Sequence, residues 1–191
     1  MASRVASTIA GPAALLALAG LLAGCERVAP VDGAAEDRLL AERGRLRIAV
    51  YPTILRRDAI AHDAGSARRL ADELERAGLA QAEVVADEVP ISPGWTPNQI
   101  AMWNRSLAEF RGWLAAHPPG ADHLLLVECL LQPSDLLAGV HVYLVDREGR
   151  VALWRLYNSH RDEFQAVAKR GLPGCTDLAL QTLGRALAPP R

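Results

Sequence analysis

His123-Leu124-Leu125-Leu126-Val127-Glu128-Cys129-Leu130-Leu131 decides the fold. An apolar run this short, between Gly120 and Pro133, is the pattern of a β-strand covered on both faces. Only Glu128 interrupts it. A carboxylate there needs a partner or an open edge, and a strand end turned toward solvent is the simpler reading than a perturbed acid in a pocket. On the C-terminal side, Gly139–Asp146 and Val151–Ser159 read as two further strands. Arg147-Glu148-Gly149-Arg150 joins them as a hairpin turn, with glycine where positive φ is expected. On the N-terminal side, Ile100, Trp103, Leu107, Phe110 and Leu114 recur at spacings of three and four. They form one broad apolar helical stripe. Thr96, Pro97 and Gln99 read as N-cap, first helical residue and capping-box partner, and His117-Pro118-Pro119-Gly120 ends the helix.

Further upstream, Leu46–Tyr51 alternates as a strand stopped by Pro52. Ser66 is placed to cap a helix that runs to Gly78 with Ala67, Leu70, Ala71 and Leu74 on one face. Ala82–Val89 reads as a short edge strand. At the other end, Ala166–Leu172 carries no clear pattern, and Thr176–Leu187 reads as a final, well-packed helix. The order is β-α-β-α-β-β-β-α. It predicts an α/β fold: a mixed sheet of about five strands with helices packed on it.

The first residues have a different character. Arg4 is followed by an uncharged, Ala- and Leu-rich stretch, and the small residues Ala23 and Gly24 precede Cys25. The stretch is too short to span a bilayer and reads as a secretory signal. Leu22-Ala23-Gly24-Cys25 resembles the lipobox of bacterial lipoproteins. The resemblance implies cleavage between Gly24 and Cys25, and acylation of Cys25. Glu26 rather than aspartate follows the cysteine, which points to the periplasmic face of the outer membrane. The expected division is a signal peptide over 1–24, a lipidated tether over 25–45, one α/β domain over 46–188 and a tail over 189–191.

Composition narrows the partners. Only Arg4 of the 21 basic residues precedes Cys25, so the remaining chain carries 20 basic against 22 acidic residues. There is no basic excess to attract nucleic acid.

The β/α order behind a lipobox resembles small periplasmic lipoprotein domains of the TolB amino-terminal and curli-export-lipoprotein type. Arg47–Tyr51 corresponds to their opening strand, residues 121–127 (Ala-Asp-His-Leu-Leu-Leu-Val) to their central strand and 139–159 to their hairpin. The resemblance spans roughly residues 46–187 and implies the fold. The pore-forming hairpins of that family have no counterpart here, so a secretion channel does not carry over.

Signatures of chemistry are sparse. No glycine-rich phosphate loop follows the first strand, and there is no Gly-x-Ser-x-Gly, His-Glu-x-x-His or Cys-x-x-Cys. No cofactor or metal is expected, since His62, His117, His123, His141 and His160 sit singly. Asn158-Ser159-His160-Arg161-Asp162 is the densest polar cluster at a strand end, where α/β proteins place sites. Asn158, His160 and Arg161 are its candidate binding residues, although Ser159 and Asp162 also read as a capping box. Cys129 and Cys175 are either a disulfide, which an exported compartment permits, or two free thiols.

The expected function is therefore that of a lipid-anchored protein of the cell envelope. It would be a non-catalytic interaction or assembly module with an envelope protein partner, or self-associating through a sheet edge or helix. The alternatives are a periplasmic enzyme using the 158–162 cluster, with Glu128 or His141 converging on it, and a small-ligand binder using Trp95 or Trp103.

Overall fold

The computed structural model describes residues 31–93, 98–118 and 120–188. The lipobox, Trp95, the Thr96–Pro97 helix start and the 189–191 tail lie outside the described residues. At the centre is β5 (His123–Leu131), which coincides with the apolar run and is buried along its whole length. Its side chains alternate between two layers, as a pleated strand requires. Leu125, Val127, Cys129 and Leu131 enter one apolar cluster, and Leu124 and Leu126 enter the other.

β1 (Arg47–Val50) and β2 (Thr53–Arg56) both run parallel to β5. β1 lies along the first part of β5 and β2 along the second, with Ile48 opposite His123 and Ile54 opposite Glu128. The register slips by one residue at Tyr51-Pro52, where proline has no N–H for the ladder. Beyond this line, β4 (Gln81–Val84) pairs parallel with β1, and β3 (Ile60–Asp63) pairs antiparallel with β2. On the other side of β5, β6 (Leu137–Asp146) and β7 (Val151–Tyr157) follow as antiparallel neighbours. Seven strands thus make one mixed sheet, and their pairing fills five positions across it.

The β2–β3 hairpin is a departure from the expected order. Pro52 reads as a stop, yet Ile54 and Arg56 on the far side of it are buried against β5. At the other hairpin, Gly149 adopts φ 75°, and Asp146 Oδ1 accepts from the N–H groups of Glu148 and Arg150 at 3.1 and 2.9 Å.

Helices cover both faces. α1 (Gly33–Ala41) begins at Asp32, whose carboxylate accepts from Ala35 N–H at 3.0 Å. Ala35 and Leu39, four apart, are buried in the first cluster, and Asp32 N–H donates to Val151 O at 2.8 Å. This corrects the tether expected over 25–45, because the chain is docked on the domain from Asp32 onward.

α2 (Ala64–Arg76) keeps the expected apolar face, but its cap is Asp63 rather than Ser66: Asp63 accepts from Ser66 N–H at 2.6 Å. α3 (Gln99–Ala116) is capped, among the described residues, by Asn98, which accepts from Ile100 and Ala101 N–H at 3.1 and 3.2 Å. Gln99 is therefore its first residue rather than a capping-box partner. Trp103, Leu107, Phe110 and Leu114 are buried, as the stripe requires.

α4 (Asp162–Gln165) and a 3-10 turn (Ala168–Arg170) lead into α5 (Leu172–Leu187). α5 starts earlier than Thr176, with Pro173 in its first turn. Helices α1, α2 and α5 pack on one face of the sheet and α3 on the other.

Candidate functional site

The one charge in the central strand turns out to be fully enclosed. Glu128 points from β5 toward α3 and is 0% exposed, so the reading of a strand end turned to solvent is corrected. Arg56, from β2, donates through Nε to Glu128 Oε2 at 2.7 Å, and its side chain is only 4% exposed. The rest of the guanidinium donates to Ser106 Oγ on α3 and to Ser92 O at 3.1 Å. Tyr143, from β6, donates its hydroxyl to Glu128 Oε1. Ser106 Oγ lies 3.1 Å from Met102 O and 3.2 Å from Glu128 Oε2, and its single proton serves one of them.

An aromatic wall closes the cluster. The Arg56 guanidinium sits 6.0 Å from the Trp103 ring centroid. His141 packs its ring 5.0 Å from Trp103, 4.3 Å from Tyr143 and 5.4 Å from Trp154. Neither nitrogen of the buried His141 ring has a hydrogen-bond partner among the described residues, nor does Trp103 Nε1.

The electrostatics follow from enclosure. Burial pushes the Glu128 carboxyl up, against the opposing pull of the Arg56 charge and of hydrogen bonds from Tyr143, Arg56 and Ser106. Burial and the adjoining carboxylate hold the Tyr143 phenol well above its usual range, so it keeps its proton and acts as donor. Burial first, then the Arg56 charge, hold the His141 imidazole well below its usual value, so the ring is neutral at pH 7. This arrangement ties β2, β5, β6 and α3 together through one ion pair. Its charged side chains are 4% and 0% exposed, and chemically it is a clasp.

The residues singled out in the sequence do not converge on it. Asn158, His160 and Arg161 lie on the turn after β7, where Asn158 Oδ1 accepts from His160 N–H at 3.1 Å and His160 and Arg161 are exposed. The Ser159–Asp162 capping box does not form. Arg161 occupies the cap position without a side-chain bond, and Ser159 O instead accepts from Gln165 Nε2 at 2.6 Å. With Glu128 and His141 buried under α3 and His160 and Arg161 exposed on the turn after β7, these groups do not line one common pocket. Trp103, a candidate ligand platform, is core at 0% exposure.

Cys129 and Cys175 are joined, with Cα atoms 6.2 Å apart, inside the usual range for a bridge. Cys175 lies within the first turn of α5, so the bond fastens that helix to β5. A cavity of about 580 Å³ opens at the end of the sheet where β5 finishes, lined by Arg57, Asp58, Pro93, Gln99 and Gln132 among others. Among the described residues, no cluster of three or more His, Cys, Asp or Glu side chains is placed to hold a metal ion. No helix there is long and apolar enough to cross a membrane.

No protein-family model matches the chain, and no curated protein matches it. Solved structures similar to it include two dodecamers of PelC from Paraburkholderia phytofirmans. A point variant in space group C2 is 13% identical, covering 84% of this chain and 92% of that chain at a TM-score of 0.38. A structure in space group P6 is 17% identical, covering 86% and 96% at a TM-score of 0.37. Likeness at this level assigns neither family nor function.

Proposed function

We propose that this protein is a lipoprotein of the bacterial cell envelope whose α/β domain is a non-catalytic interaction or assembly module. The observation that carries the reading is Leu22-Ala23-Gly24-Cys25 at the end of an uncharged N-terminal stretch. Two or three acyl chains on Cys25 would make the anchor effectively permanent, at about 0.8 kcal/mol per buried methylene. Glu26 favours the periplasmic face of the outer membrane. The non-catalytic half of the reading is supported by the use of a buried ion pair, Arg56 with Glu128, as an internal clasp. Self-association has a structural opening along β7 beyond Val151, where, among the described residues, no strand but β6 pairs with it.

The test is Cys25→Ser. Labelling with radioactive palmitate should vanish, and the protein should stay unprocessed or leave the membrane pellet. A variant that still labels and fractionates like the parent overturns the anchor. Detergent extraction of the native lipidated protein, followed by sizing and pull-down, tests the module: a stable partner or defined oligomer supports it. Monomeric, partner-free protein overturns it.

A further inference from the structure

A short anchor makes the domain's attitude on the membrane a geometric question, and the fold answers it. Given acylation of Cys25, on which this step rests, six residue steps separate the anchor from Val31. Fully extended, they reach about 20 Å. Val31 packs against the second apolar cluster, and Asp32 N–H is bonded to Val151 O at 2.8 Å. The chain therefore leaves the domain at the end of the sheet where β6 finishes and β7 begins.

The same end is crossed by α1. Arg38 reaches Glu148 at 3.1 Å and Asp146 at 3.8 Å, and Glu42 lies 3.8 Å from the first residue of β5, His123. Arg43 then donates to Ala186 O, near the end of α5, at 2.7 Å. Leu40, on the outer side of α1 and 40% exposed, sits between these contacts. The opposite end lies the length of β6 away. At the usual rise of a strand its ten residues span about 30 Å. That exceeds the reach of the anchor, so the domain cannot stand on its far end.

We infer that the α1 and Arg147–Arg150 end of the domain rests on the bilayer, with Leu40 at the lipid interface. The far end, which carries the 580 Å³ cavity and the exposed Leu136, is held away from it. Exposed charges on the near end are of both signs, Glu36 and Asp37 against Arg45, Arg47 and Arg147. The anchor and Leu40, not headgroup charge, set the attitude, and zwitterionic vesicles suffice to see it.

Leu40 and Leu136 make a matched pair of probes, at 40% and 37% exposure on opposite ends. Leu40→Cys and Leu136→Cys are made in the full lipidated protein, labelled with a small fluorophore and reconstituted into phosphatidylcholine vesicles. A fraction of the lipids carries a headgroup nitroxide quencher. Flotation is scored first. Protein that does not float overturns the anchor reading, and this inference with it. In floated protein, quenching at position 40 should exceed that at 136 severalfold. Equal quenching, from a domain lying on its side, or stronger quenching at 136, overturns the attitude while leaving the anchor intact. Arg45→Cys and Ser134→Cys repeat the comparison if a leucine variant fails to fold.

Discussion

Arg56 and Glu128 are 72 residues apart in the chain and meet at 2.7 Å with side chains only 4% and 0% exposed. Each is tolerable only because of the other. The desolvation cost of two isolated charges is several kcal/mol per ion, and it is offset by their contact and by the hydroxyls of Tyr143 and Ser106.

That dependence makes single substitutions costly and paired ones less so. Glu128→Gln keeps the shape but leaves a buried guanidinium uncompensated, and should destabilise by about 3–5 kcal/mol. Arg56→Met should cost a similar amount by stranding the carboxylate. The double variant should recover much of the loss, as a coupled pair does in a double-mutant cycle. Urea midpoints at unchanged slope measure all three. Single losses under about 1 kcal/mol would mean that the pair is hydrated.

His141 sets a pH dependence of definite sign. Its folded value is depressed by burial and by Arg56, so as pH falls below about 6.5 the unfolded chain takes up a proton that the folded protein refuses. Stability therefore falls toward acid, at up to about 1.4 kcal/mol per pH unit. His123, also depressed by burial, adds in the same direction. Glu128, raised, acts oppositely: its contribution is present at low pH and fades as pH rises above the unfolded carboxylate value. The difference between the parent and His141→Phe isolates the imidazole. Phenylalanine keeps the contacts with Trp103 and Tyr143 and removes two unpartnered nitrogens. It should stabilise by about 1–3 kcal/mol at pH 7 and flatten the slope between pH 5 and 7. A less stable variant with the slope unchanged would show that the nitrogens are hydrogen-bonded in solution.

How much of this was legible in the sequence depends on range. Residues 123–131 and the hairpin around Gly149 could be read because a strand's period and a turn's glycine are local properties. The short β2 strand, Thr53–Arg56, could not. Its pairing is decided by contact with β5 across more than 70 residues, and Pro52 argued against it. The same separation hid the clasp, although a lone glutamate in an apolar run was a signal that some partner had to exist. The 158–162 cluster is ambiguous in a different way, since polarity at a strand end marks a turn as readily as a site, and the structure places it on a turn.

The α3 stripe should behave as core. Trp103 is 0% exposed and Leu107 3%, so Trp103→Ala should cost about 3–5 kcal/mol and Leu107→Ala about 2–5 kcal/mol in chemical unfolding. Trp103→Ala should also unseat Arg56, whose guanidinium it faces. A loss below about 0.5 kcal/mol would place that face at the surface.

The bridge between Cys129 and Cys175 is the last constraint, and it works on the unfolded chain. The two cysteines enclose a loop of 46 residues, and in the chain-entropy account a cross-link of that span contributes about 4 kcal/mol. It also fixes the first turn of α5 against the strand that carries Glu128, so the helix and the clasp share one rigid support. Reducing the protein in mild urea should lower the unfolding midpoint with little change in the native far-ultraviolet spectrum, because Cys129 and Cys175 remain buried among apolar side chains either way. Alkylation without reduction, followed by mass measurement, checks the bond directly. Protein with Cys129 and Cys175 unmodified and coupled in one peptide pair is the expected result. Two alkylated thiols would leave Cys129 as a small core residue and remove the stability difference between oxidised and reduced protein.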